Sequence, residues 1–182
     1  MNHFVNLVVV VLGGGLLGMM MNTLPSYDSS FQPFGVRAGE NGVGEGRLFT
    51  AELAGLRSSG TISYAQFGKE VVRDTSAIFL VAELAISARE KSQQVEAIWL
   101  GATGRQYVQS ARIESFPRAL SLAQFEPGLK GQAFAVFELP EDEIAGGQLV
   151  LMARGSMLMD SAVHLPAPKV LPARQVSLRL EP

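Results

Sequence analysis

The run Ala77-Ile-Phe-Leu-Val-Ala-Glu-Leu-Ala-Ile-Ser87 decides the fold. With side chains alternating at a period of two, Ile78, Leu80, Ala82, Leu84 and Ile86 supply one apolar face. Phe79 and Val81 make the opposite face apolar near the start of the run. A strand with two apolar faces belongs at the centre of a sheet or beneath a covering segment. The same letters also suit a short helix, because Ala, Glu and Leu are good helix formers.

Toward the N-terminus, Phe49, Ala51 and Leu53 alternate with Thr50, Glu52 and Ala54, the pattern of a half-buried strand. Ser58-Ser59-Gly60 reads as a turn, and Tyr64 to Asp74 as a loop or short edge segment. Gly35 to Gly46 is glycine-rich. Its Gly42-x-Gly44-x-Gly46 spacing is not that of a phosphate-binding fingerprint, and a strand rather than a helix follows, so it reads as a β-turn region.

Toward the C-terminus, Val95–Leu100 reads as an antiparallel partner of the central strand. Arg105–Arg112 reads as another alternating strand, and Ser115–Lys130, with two prolines, as a long crossover containing a helical turn. Gln132–Leu139, Gln148–Ala153 and Ser161–Leu165 complete the strands, and Gln175–Leu180 in the proline-containing tail 166–182 alternates as a last one. About seven short strands separated by turn residues indicate a mainly β, antiparallel β-sandwich.

Ahead of this domain, Met1–Asn22 contains no Lys, Arg, Asp or Glu, and Leu7–Met21 is wholly apolar or glycine. As a helix, Phe4–Met21 would be about 27 Å long, close to the ~30 Å hydrocarbon core of a bilayer. The stretch is apolar all round rather than striped, unlike a buried core helix. It lacks the basic start and small-residue cleavage site of a signal peptide. The expectation is therefore a single transmembrane signal anchor over 1–22, a spacer over 23–33 and a β domain over 34–165. Gly14-x-x-x-Gly18 would permit close approach of another membrane helix. The nearest basic residue after the segment is Arg37, so flanking charge does not set the orientation.

Composition narrows the partners. Fifteen Lys+Arg against seventeen Asp+Glu gives a formal charge of −2 with both signs interspersed, which offers no basic stripe for nucleic acid. The absence of cysteine excludes disulfides, thiolate metal sites, a cysteine nucleophile and a lipidated cysteine.

The order of several pieces resembles a family of bacterial immunoglobulin-like domains of unknown function. Its members occur as lipoproteins or behind one N-terminal membrane helix, with a fold like that of a small secreted mycobacterial antigen. The matching pieces are Phe34–Gly39, Ile78-Phe-Leu-Val-Ala-Glu-Leu84, Gly104-Arg-Gln-Tyr107, Glu126-Pro-Gly128 and Phe134-Ala-Val-Phe-Glu-Leu-Pro140. Because this chain has no cysteine, the resemblance implies anchoring through the helix. It further implies an immunoglobulin-like sandwich placed outside the cytoplasm, and it brings no catalytic residues.

The residues themselves offer little chemistry. His164 alternates with Val163 and Leu165, which points it from a strand into solvent, and Asp160 lies across an expected turn from it. Glu138, Glu141, Asp142 and Glu143 form one acidic cluster, read as a solvated helix start before a hard-cation site. Trp99, Tyr107, Phe134 and Phe137 are candidate core. Met157, Leu158 and Met159, with Met152, either plug one end of the sandwich or form a soft interaction surface.

The function expected on these grounds is a membrane-tethered, non-catalytic interaction or scaffold module of the cell envelope, with no cofactor. Its partners would be the bacterial inner membrane, through the helix, and another envelope or membrane protein, with the β domain periplasmic or extracellular. The alternative is a module binding a small apolar or lipid ligand; a hydrolase ranks behind both.

Overall fold

The computed structural model describes residues 2–23, 33–113, 116, 118–155 and 160–181. The chain divides into two units, Met1–Gln32 and Pro33–Pro182. In the first, α1 spans Asn2–Thr23. Every residue from His3 to Met21 is exposed. By length and composition this stretch can cross a membrane, a property that anchors and signal sequences share.

The second unit is a β-sandwich. Its strands are β1 (Phe34–Arg37), β2 (Val43–Glu45), β3 (Phe49–Gln66), β4 (Lys69–Ala88), β5 (Val95–Leu100), β6 (Gln106–Val108), β7 (Gly131–Leu139), β8 (Gln148–Ala153), β9 (Ser161–Pro166) and β10 (Gln175–Leu180). One sheet runs β1-β9-β8-β5-β6; the other runs β10-β3-β4-β7, with β2 also on β3. Pairing is antiparallel except at two edges, where β1 lies parallel to β9 and β10 parallel to β3. The proline-containing tail thus supplies a strand whose Leu178 and Leu180 are buried.

Residues 77–87 are strand, not helix, and sit between β3 and β7 as their two apolar faces require. Ile78, Leu80, Ala82, Leu84 and Ile86 join the core between the sheets with Trp99, Phe137, Leu149 and Leu151. Phe79 and Val81 join a second cluster on the outer face with Ile62, Tyr64, Ile113, Phe116, Phe134, Val136, Leu178 and Leu180. The crossover, which carries one 3-10 turn at Leu120–Leu122, supplies the cover on that side. At 1.5–3 kcal/mol for each large apolar side chain fully removed from water, the outer cluster is a substantial second core.

Several sequence-based expectations are corrected. Ser58–Gly60 is not a turn; it lies inside the continuous β3, where the register shifts between Ser59 and Thr61. Gly60 marks an irregularity within a strand, and the Ser59 hydroxyl accepts from Thr61 N at 3.1 Å, occupying a backbone group freed by the shift. Tyr64–Asp74 is accordingly no loop but the distal half of the β3–β4 hairpin, turned by Phe67 (φ 50°) and Gly68 (φ 77°). Val95–Leu100 pairs with β8 and β6 in the opposite sheet rather than with the central strand. Arg105–Arg112 is not one strand: it leaves the first sheet after Val108, and Gln109 and Ser110 bond to β7 of the second. Local alternation reports which residues are buried but not which strand is the neighbour, and that information is non-local.

Candidate functional site

The residues singled out by sequence are not brought together. Gly14 and Gly18 stand on α1 with open space where a side chain would begin. Met157, Leu158 and Met159 lie outside the described residues. His164 is half-buried rather than solvent-directed, with its ring 3.4 Å from where a Gly35 side chain would start. Burial and the nearby Arg37 push its pKa below the usual histidine value.

Asp160 serves a different partner. Its carboxylate accepts two bonds from Arg47, at 3.1 Å from Nε and 2.7 Å from Nη2, and one from Ser161 N at 2.7 Å. The Arg47 hydrogen bond is the main reason its pKa lies below the usual carboxylate value. Because Phe34 N also donates to the Asp160 carbonyl at 2.8 Å, this residue ties β1 and the β2–β3 connection to β9. Its geometry is structural.

The acidic cluster is dispersed. Glu138 accepts from Arg112 Nη1 at 2.8 Å and from the Thr75 hydroxyl. Glu141 faces Arg174 at 3.7 Å. Glu143 is the correction to the solvated-helix reading: it is buried in the 3-10 turn Glu141–Glu143 and accepts from Thr103 N (3.1 Å) and Thr103 Oγ1 (2.5 Å). The Thr103 bonds hold its carboxyl below the usual range. Its carbonyl accepts from Trp99 Nε1 at 3.0 Å. Among the described residues, no group of three or more His, Cys, Asp or Glu could hold a metal ion. Of the aromatics, Trp99 and Phe137 pack in the main core, Phe134 in the outer cluster, and Tyr107 is partly buried against the main core.

A constellation of side chains with free binding capacity lies elsewhere, in an open cleft lined by Arg57, Glu83, Arg118, Phe134, Arg179 and Glu181. Arg57 comes from β3, Glu83 from β4, Phe134 from β7 and Arg179 from β10. Arg118 arrives from the crossover at φ 62°, a conformation costing a non-glycine residue about 1–2 kcal/mol. Its guanidinium lies 4.6 Å over the Phe134 ring, with that of Arg57 at 5.9 Å from the same ring. Arg118 Nη2 donates to Gln132 Oε1 at 3.0 Å, whereas its Nε is buried without a protein partner. Glu83 is shared by both arginines at long range, 3.9 Å from Arg57 and 3.8 Å from Arg118.

Sequence reasoning missed this cleft because its six residues come from four strands, the crossover and the residue just past β10. The one available signal was Glu83, the only charged residue within Ala77–Ala88 and thus a polar interruption of an apolar face.

A second depression is lined mainly by apolar side chains, among them Ile98, Val108, Ile113, Phe116 and Val136, with Glu96 and Arg154 at its polar part. It lies beside the short β6, where the chain passes from one sheet to the other.

No protein-family model matches the chain, and no curated protein is similar to it in sequence. Among solved structures, it is similar to an uncharacterized β-sandwich protein from Clostridium difficile 630, at 6% identity and a TM-score of 0.46, covering 78% of this chain and 99% of that one.

Proposed function

We propose that the protein is a membrane-tethered, non-catalytic interaction or scaffold module, with its β-sandwich on the outer side of a bacterial cytoplasmic membrane as part of an envelope assembly. The observation that carries this reading is the exposed apolar stretch His3–Met21, which is long enough to cross a bilayer as a helix. An uncleaved anchor is favoured by the lack of a small-residue cleavage site near Asn22. Outward placement, membership of the immunoglobulin-like family and an envelope partner rest on the ordered resemblance of the β domain to that family. Gly14 and Gly18 would let a second membrane helix approach closely.

Protease treatment of intact and permeabilised cells, with mass measurement of the mature N-terminus, tests the reading. The expected result is cleavage of the β domain once the outer barrier is opened but the cytoplasmic membrane is intact, with residues 1–22 still attached. A domain protected until the cytoplasmic membrane is lysed, or a mature chain lacking α1, would overturn it.

The second reading, a module for a small apolar or lipid ligand, is favoured by the apolar depression beside β6. Binding of a fluorescent fatty acid, lost on Val108→Asp with the fold retained, would support it; no saturable binding by the full chain would remove it.

A further inference from the structure

We infer that the cleft over Phe134 is a binding site for an oxyanion, the carboxylate or phosphate group of a small ligand, held by Arg57, Arg118 and Arg179. This goes beyond the scaffold reading and stands whether or not α1 spans a membrane.

Several ion pairs elsewhere in this protein close tightly. Arg47–Asp160, Arg112–Glu138, Lys130–Glu52 and Arg154–Glu96 all close to 2.7–2.8 Å. The two cleft pairs stop at 3.8 and 3.9 Å, beyond hydrogen-bond distance, although all three side chains are only about a third exposed. Other open pairs, Arg89–Glu45 and Arg174–Glu141, involve side chains that are freer in solvent. Glu83 therefore balances charge without occupying the arginine N–H groups.

Those donors are numerous. A guanidinium offers five N–H groups in a planar fork suited to two oxygens of one carboxylate or phosphate. Among the described residues, the Arg57 and Arg179 side chains make no hydrogen bond, and the Arg118 guanidinium uses only Nη2. The Phe134 ring holds two of the forks by cation–π contact, which orients them without consuming an N–H. Three cations against Glu83 and Glu181 leave the cleft one positive charge in excess. Arg118, whose guanidinium lies over the Phe134 ring, holds a φ of 62°, backbone strain of the kind that clusters at ligand sites.

The test uses the full chain in neutral detergent, titrated separately with inorganic phosphate and with citrate at constant ionic strength, following arginine side-chain N–H signals by NMR. Saturable shifts at Arg57 and Arg118 with either probe are expected, and comparison of the two distinguishes a phosphate from a carboxylate preference. Arg57→Gln, Arg118→Gln and Arg179→Gln should each weaken binding about tenfold, the scale of one lost charge-assisted contact. Arg118→Lys should weaken it as well, since an ammonium cannot reproduce the fork. Glu83→Gln should tighten binding by removing the resident carboxylate. Arg179 is exposed, and among the described residues its side chain makes no hydrogen bond or ion pair, so its variant remains informative if the others lose the fold. Non-saturating responses to both probes, unchanged affinity in Arg179→Gln, or weaker binding in Glu83→Gln would overturn the assignment.

Discussion

Arg118 and Phe134 are joined twice: the Arg118 carbonyl accepts from Phe134 N at 2.8 Å, and the Arg118 guanidinium lies 4.6 Å over the Phe134 ring. The backbone bond covers the free edge of β7, which would otherwise present unpaired groups to another chain. The side-chain contact places a cation on the outer cluster. One residue of the crossover thus closes a sheet edge and forms part of a cleft, at the cost of a left-handed backbone.

That backbone makes a clear comparison between two truncations. Arg118→Ala loses the cation–π contact and keeps the unfavourable φ, whereas Arg118→Gly loses the same contact but tolerates φ 62°. The glycine variant should be the more stable of the two by roughly 0.5–1 kcal/mol, after its larger loss of chain entropy. Denaturant midpoints of both variants measure this directly. An alanine variant as stable as the glycine one would mean that Arg118 is unstrained.

Phe67 poses the same question without any packing. It occupies a φ of 50° at the tip of the β3–β4 hairpin and is 94% exposed, so its ring contributes almost no burial. Two-residue hairpin turns of this hand favour Asn-Gly over an aromatic followed by Gly. Phe67→Asn should therefore raise stability by about 0.5–1 kcal/mol, visible as a higher thermal midpoint. A fall instead would show that the ring stabilises the hairpin.

How much of this was legible beforehand follows from range. Ala77–Ser87 disclosed both its faces because burial on each is written into alternate residues, and the outer cluster was implied as soon as Phe79 and Val81 needed cover. Gln148–Ala153 and Gln175–Leu180 carried the same local signal. Ser58-Ser59-Gly60 misled because small polar residues suit a tight turn and a strand irregularity equally well, and only the facing residues Phe79 and Asp74 distinguish the two. The arginine cleft left almost no trace, since Arg57, Arg118 and Arg179 are ordinary surface letters until the strands are aligned. The Met157–Met159 reading falls outside the described residues.

Gly147 tests the packing around the only tryptophan. A methyl group there would begin 2.8 Å from Trp99 Nε1 and 2.9 Å from the Glu143 carbonyl, the two atoms of the buried indole hydrogen bond. Backbone and a fully buried ring cannot both retreat, so Gly147→Ala should destabilise the domain by about 1–3 kcal/mol. The Trp99 emission spectrum should shift to longer wavelength as the indole is displaced. Unchanged stability and emission would show that the β8 approach relaxes freely.

Acid should unfold the domain through two carboxylates. Asp160, held by Arg47, and Glu143, held by the Thr103 hydroxyl and amide, both have folded pKa values below their ordinary 3.8 and 4.5. The unfolded chain then binds more protons than the folded one, so the stabilisation is complete above the ordinary values and is lost as pH falls through the folded ones. Thermal midpoints should accordingly change little from these two groups above about pH 5 and decline below about pH 4. Asp160→Asn should lower the midpoint at neutral pH, because the Arg47 fork loses its charge partner, yet leave a shallower decline in acid. Equal acid slopes in the two proteins would remove Asp160 as a source of the pH dependence and leave Glu143 to account for it.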